Sequence, residues 1–111
     1  MDIRKIDDDY SVSPQIDAEE VDIVSLLGFK SIVCHRPDHE QPDQPEFSAI
    51  AARAAQLGIE VRHIPVVPTG LTDEAVGSMV RALNDLPRPI LGYCRSGARS
   101  TRIYEQALQP Q

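Results

Sequence analysis

Apolar residues along this chain follow two rhythms. Short apolar-rich runs at 10–13, 30–34, 59–64 and 90–93 are closed by proline or by polar turn residues, which is how strands read, buried ones at 30–34 and 90–93. Between the strands, apolar positions recur every three or four residues: Val21, Val24 and Leu27, then Phe47, Ile50, Ala54 and Leu57, then Val76, Met79, Val80 and Leu83. That spacing predicts helices with one buried stripe.

Local signals set the ends. Asp17 with Glu20 three residues on has capping-box spacing and predicts a helix start, and Gly28 supplies its stop. The alanine-rich segment 46–57 closes at Gly58, Thr72 caps the third helix, which must end before Pro87, and 98–108 is the last helix. Strands and helices alternate throughout, so the chain is expected to be one α/β domain over residues 1–111: a three-layer α/β/α sandwich around a mostly parallel sheet. Right-handed crossovers would align the loops after Cys34, Ile64 and Tyr93 along one edge. His35 to Pro45, polar and with three prolines, is one of these loops, and Val66 to Gly70 is another.

Charge narrows the partners. Seventeen acidic against eleven basic residues give a net charge of −6, which argues against nucleic acid or an anionic membrane. No apolar run approaches a signal or spanning segment, so a cytoplasmic protein is expected. Two cysteines make neither a disulfide framework nor a four-ligand zinc site. His35, Asp38, His39, Glu40 and His63 lack regular ligand spacing, so neither a metal nor another cofactor is expected.

The chemistry concentrates at Ile90 to Thr101, a buried strand running into a glycine-containing turn that opens a helix. Cys94 stands at the junction, where backbone N–H groups, the positive end of the helix dipole and two arginines all favour its thiolate. Cys94 is therefore read as a nucleophile toward an anion. Gly97 permits the turn, and the amides of Ser96, Gly97 and Ala98 form an anion nest. Arg99 clamps the anion, Arg95 adds charge at the rim, and Ser100 or Thr101 donates to the sulfur.

Tyr93 to Ser100 resembles the active loop of rhodanese-type sulfurtransferases. The rest of the chain resembles the phosphatase-like domain of bacterial beta-lactamase-hydrolase-like proteins, within the cysteine phosphatase superfamily. That likeness rests on Ser13-Pro14-Gln15, Gly28 to Ile32, Arg36-Pro37-Asp38 with Glu40, and His63 to Val66. It implies a cysteine-phosphatase-like fold whose members are proposed as sulfurtransferases, often linked to a sulfur dioxygenase, which would then be a partner here.

Two chemistries compete for the loop. Cysteine phosphatases resemble one another in a Cys-x5-Arg loop, a preceding histidine and an aspartate that protonates the leaving oxygen. Here Arg99 follows Cys94 by five positions, Tyr93 takes the histidine position, and Val66 to Gly70 holds no carboxylate. Lack of a general acid slows expulsion of an alkoxide by about 10²- to 10⁴-fold. Sulfur transfer needs no acid, so the expected function is a sulfurtransferase: Cys94 takes sulfur from thiosulfate or a small persulfide and passes it to a thiol or cyanide. The alternative is a cysteine-dependent phosphatase acting on aryl or protein phosphates through a phosphocysteine.

Other residues keep two readings. Cys34 is a buried core residue or, as the resemblance implies, a second cysteine that protects the nucleophile as a reversible disulfide. Arg36 faces the site or pins its loop through Asp38 or Glu40. Thr69 and Gly70 shape the loop opposite Cys94 or form a plain turn. Phe47, Tyr104 and Leu108 are core or interface, and the oligomeric state stays open.

Overall fold

Alternating side chains sort to the two faces of a single sheet. The computed structural model describes residues 1–110, so only the last position of the 1–111 unit lies outside the described residues. In chain order the elements are β1 (Arg4–Lys5), β2 (Tyr10–Ser13), α1 (Glu20–Leu26), β3 (Ser31–Cys34), α2 (Phe47–Gln56), β4 (Glu60–His63), α3 (Asp73–Asp85), β5 (Ile90–Tyr93) and α4 (Ala98–Ala107). The sheet order is β1-β2-β5-β3-β4. Only β1 runs antiparallel to its neighbour.

One core packs Tyr10, Val12, Val33 and Ile90 of the sheet against Met79 and Ala82 of α3 and Ile103 and Tyr104 of α4. The other packs Ile32, Cys34, Leu91 and Tyr93 against Val21 and Val24 of α1 and Ile50 and Ala54 of α2. These are the three expected layers.

Register places the site. Ser13 and Cys34 both pair with Tyr93, and His63 pairs with Cys34, so four strands end level with one another. The loops that follow must share one edge of the sheet, the usual ligand-binding edge of an open parallel sheet.

Several ends differ from the sequence reading. β1 carries no apolar signal because both its residues are exposed; it forms by pairing Arg4 with Val12. The Asp17 and Glu20 side chains do bond reciprocally, Asp17 Oδ1 accepting from the Glu20 N–H at 2.8 Å and Glu20 Oε1 from the Asp17 N–H at 3.1 Å. They close a turn ahead of α1, which starts at Glu20. Leu27 lies past the last helical residue and is 59% exposed, outside the expected stripe. α2 takes its cap from Asp38, nine residues upstream, whose Oδ1 accepts the Phe47 N–H at 2.9 Å. Thr72 caps α3 as expected, accepting from the Ala75 N–H.

Tyr104 is core: its ring stacks on Tyr10 with centroids 4.0 Å apart. Phe47 is half-buried and stacks on His63, whereas Leu108 is exposed. Among the described residues no helix is long and apolar enough to cross a membrane.

Candidate active site

At the end of β5 the chain turns through Cys94 into α4. Gly97 adopts φ of 97°, in the left-handed region that favours glycine, and its N–H donates to Cys94 Sγ at 3.1 Å. Burial alone pushes the Cys94 thiol up. The Ser100 N–H and hydroxyl and the N–H groups of Ser96 and Gly97 outweigh it, and the thiol is held below its ordinary value. The fully buried Ser100 hydroxyl has no hydrogen-bond partner among the described residues, and its dipole is one of the causes that favour the Cys94 thiolate. Thr101, the other expected donor, instead donates to the Gly97 carbonyl at 2.9 Å. Ala98, exposed at the helix start, donates its N–H to the Ser96 hydroxyl.

Arg99 is fixed by two other loops. Its Nη1 donates to Glu40 Oε2 at 2.7 Å and to the Val66 carbonyl at 2.8 Å, and its Nη2 donates to Glu40 Oε1 at 3.0 Å. The Arg99 charge also interacts favourably with a Cys94 thiolate. The same Glu40 accepts from Arg36 Nε at 2.8 Å, and the remaining Arg36 donors go to Gln15 and Gln41. Arg36 therefore pins its loop through Glu40, and Asp38 is engaged elsewhere as the cap of α2. Arg99 first, and Arg36 with it, hold the Glu40 carboxyl down to about 2 against the opposing effect of burial.

Beneath the loop lies a buried polar chain that the sequence reading missed. Tyr10 Oη donates to the Ser100 carbonyl at 3.1 Å and sits 3.5 Å from His35 Nε2. His35 Nδ1 faces the Ile64 carbonyl at 3.0 Å; a carbonyl only accepts, so Nδ1 carries the proton. Burial pushes this imidazole down to about 4, which keeps it neutral at pH 7. Tyr10 reaches the loop across Gly92, where a Cβ would stand 2.0 Å from the phenolic oxygen. The sequence signal was a glycine in the middle of an apolar strand, which marks a close approach.

An open cavity of about 490 Å³ lies above the loop, lined by Arg36, Glu40, Pro68, Arg95, Ser96 and Arg99 among others. Arg95 is exposed and forms no ion pair among the described residues. Opposite, the Gly70 N–H donates to the Val67 carbonyl, so Thr69 and Gly70 belong to a tight turn. Cys34 is buried, its thiol donates to the Arg36 carbonyl at 3.4 Å, and burial pushes its pKa up. Both cysteines are free thiols. His63 donates its Nε2–H to the Arg36 carbonyl at 2.9 Å, and His39 lies exposed beside Glu46, so the histidines do not converge.

A cysteine whose thiolate is favoured by loop donors, beside an arginine at the ligand edge of a parallel sheet, defines a cysteine-phosphatase-like α/β protein. Within that class, the chain belongs to the family of the beta-lactamase hydrolase-like protein, phosphatase-like domain, whose profile matches residues 2–109. It is similar to the beta-lactamase hydrolase-like protein of Xylella fastidiosa, with 31% identity over 104 residues that cover 94% of this chain and 24% of the relative. The chain thus spans about a quarter of the length of the curated relatives it first matches.

Among solved structures it is similar to a candidate phosphatase from Neisseria meningitidis, at 31% identity and a TM-score of 0.85, covering 94% of this chain and 74% of that one. The catalytic core of a PP-IP phosphatase from S. cerevisiae shares the fold at 14% identity and a TM-score of 0.64, covering 95% of this chain and 72% of that one.

These likenesses overturn the expected sulfurtransferase. That expectation rested on the shortened spacing from Cys94 to Arg99 and on the acid missing from Val66 to Gly70. One helical residue is a rotation of about 100° and a rise of about 1.5 Å, which a long arginine side chain absorbs. Arg99 still couples electrostatically to the sulfur, so the spacing does not separate the two chemistries. The family match and the Neisseria structure favour the phosphatase.

Proposed function

We propose that this domain is a cysteine-dependent phosphatase. The observation that carries the reading is the buried Cys94 sulfur, which accepts the Gly97 N–H at 3.1 Å and whose thiolate the loop donors and the Arg99 charge favour. The cavity that Arg95, Ser96 and Arg99 of the loop line has room for a phosphoryl group, whose oxygens Arg99 and the loop amides would receive. Arg95 adds positive charge at the rim, and Ser100 steadies the thiolate when it re-forms.

Cys94 Sγ attacks phosphorus, the bond to the leaving oxygen breaks, and a phosphocysteine results. Water then attacks that phosphorus and returns the electron pair to sulfur. The charge at the mouth suits a small anionic substrate.

The test is hydrolysis of p-nitrophenyl phosphate by the wild type and by Cys94→Ser, with rapid quenching to trap the intermediate for mass spectrometry. Phosphate release by the wild type alone, with one phosphoryl group on Cys94, supports the reading. Failure of the wild type to release phosphate, or equal release by both proteins, overturns it.

A further inference from the structure

The mouth of the site has an arginine free of any ion pair and, among the described residues, lacks a free acid. Three guanidiniums, of Arg36, Arg95 and Arg99, line it against one carboxylate, Glu40, in a protein that is otherwise acidic. Arg36 and Arg99 are committed to Glu40, whereas Arg95 projects from the residue after the nucleophile with no anion of its own. Glu40 is pinned by both arginines and offers no proton. Asp38 caps α2, and Asp73 lies at the first turn of α3 beside a different cavity.

No aromatic side chain lines the mouth among the described residues, so nothing there would stack on a phenol ring. A leaving group that departs here must therefore be a weak base, and one that docks on Arg95 must be an anion.

We propose that the preferred substrate is a phosphoanhydride, whose leaving group is itself a phosphate received by Arg95. This rests on the phosphatase reading and names its substrate class. Cys94 Sγ attacks the terminal phosphorus and the bridging P–O bond breaks. Its electron pair stays on the oxygen of the departing phosphate, which needs no proton at neutral pH. Water then attacks the phosphocysteine and the S–P pair returns to Cys94. One water proton remains on the released phosphate and the other passes to solvent. No electrons are gained or lost overall. The cavity of about 490 Å³ has room for two linked phosphoryl groups.

The experiment compares inorganic pyrophosphate, p-nitrophenyl phosphate and glycerol phosphate, without added metal, on wild type, Arg95→Ala, Arg95→Lys and Cys94→Ser. Pyrophosphate should exceed glycerol phosphate in kcat/KM by about 10²-fold or more, the acceleration a missing acid withholds from an alkoxide. Arg95→Ala should lose roughly tenfold more on pyrophosphate than on the aryl ester, and Arg95→Lys should recover much of that difference.

If the aryl ester is turned over through Cys94 but pyrophosphate is no better than glycerol phosphate, the phosphoanhydride assignment falls and the phosphatase stands. If Arg95→Ala lowers both activities equally, the assignment of the leaving phosphate to Arg95 falls. If no substrate is turned over, both readings fall together.

Discussion

Both carboxylate oxygens of Glu40 accept N–H groups of Arg99, at 2.7 and 3.0 Å, across 59 residues of chain. The clamp arginine is thus oriented by an acid from the loop after β3, and the same acid draws in Arg36. Glu40 is only 18% exposed, with Arg36 and Arg99 at 3% and 11%, so water screens the triad poorly.

Replacing Glu40 should therefore cost stability and activity together. Glu40→Gln leaves two guanidiniums without their counter-charge, and about 3 kcal/mol of folding free energy should be lost. Urea denaturation measures it. A loss below about 1 kcal/mol would place the triad with ordinary surface pairs. Activity on an aryl phosphate should fall as Arg99 loses its orientation.

Stability should rise with pH in two separate windows. The Glu40 carboxyl is depressed to about 2 from an ordinary 4.5, so its contribution is complete above about 4.5 and is lost as pH falls toward 2. His35 is depressed to about 4 from an ordinary 6.5. The unfolded chain takes up that proton first, and stability drops between about 6.5 and 4 as the pH is lowered. His35→Gln should flatten the upper window and Glu40→Gln the lower one in melting curves recorded across pH.

Gly92 should tolerate no side chain while Tyr10 is in place. Gly92→Ala puts a methyl 2.0 Å from the phenolic oxygen, and displacing the ring should cost about 1–3 kcal/mol. Tyr10→Ala alone should also destabilise, by opening a void in the core. Combined, the two changes should cost less than their sum, because the alanine methyl enters space the ring has left. Strict additivity in a double-mutant cycle would show that the collision is relieved elsewhere.

The two cysteines should react very differently. Iodoacetate near neutral pH should label Cys94 before Cys34, since donors hold the first thiol below its ordinary value and burial holds the second above it. Peptide mapping identifies the labelled site. Ser100→Ala should slow the labelling of Cys94 and move its pH midpoint upward, by removing a hydroxyl that favours the thiolate. An unshifted midpoint would assign the stabilisation to the amides alone.

Much of the site was legible in the sequence because its elements are local. Cys94, Gly97 and Ser100 lie within one turn of chain, and the strand-turn-helix pattern around them fixes where their donors point. The level strand ends followed from alternation and crossover handedness. Partners supplied from a distance were not legible. Glu40 offered itself to Arg36 at four residues' separation, but nothing in the spacing tied it to Arg99. Tyr10 read as an ordinary strand residue, since only the sheet order brings β2 beside β5 and under the loop. Sulfur transfer was inferred from one residue of loop length, from Tyr93 in the histidine position and from the carboxylate missing between Val66 and Gly70; the first is a difference that the reach of an arginine side chain makes chemically weak.

The level strand ends bind the nucleophile loop to the rest of the molecule. Gln15 follows β2, Arg36 and Glu40 follow β3, Val66 follows β4 and Arg99 follows β5, and hydrogen bonds join them all. The site consequently has no smaller version. A fragment missing any of these four strands lacks part of the clamp, and a partly unfolded chain has none of it. Assembly of the clamp is then a cooperative property of the whole sheet, completed when the last strand docks and lost in the same transition that melts the fold.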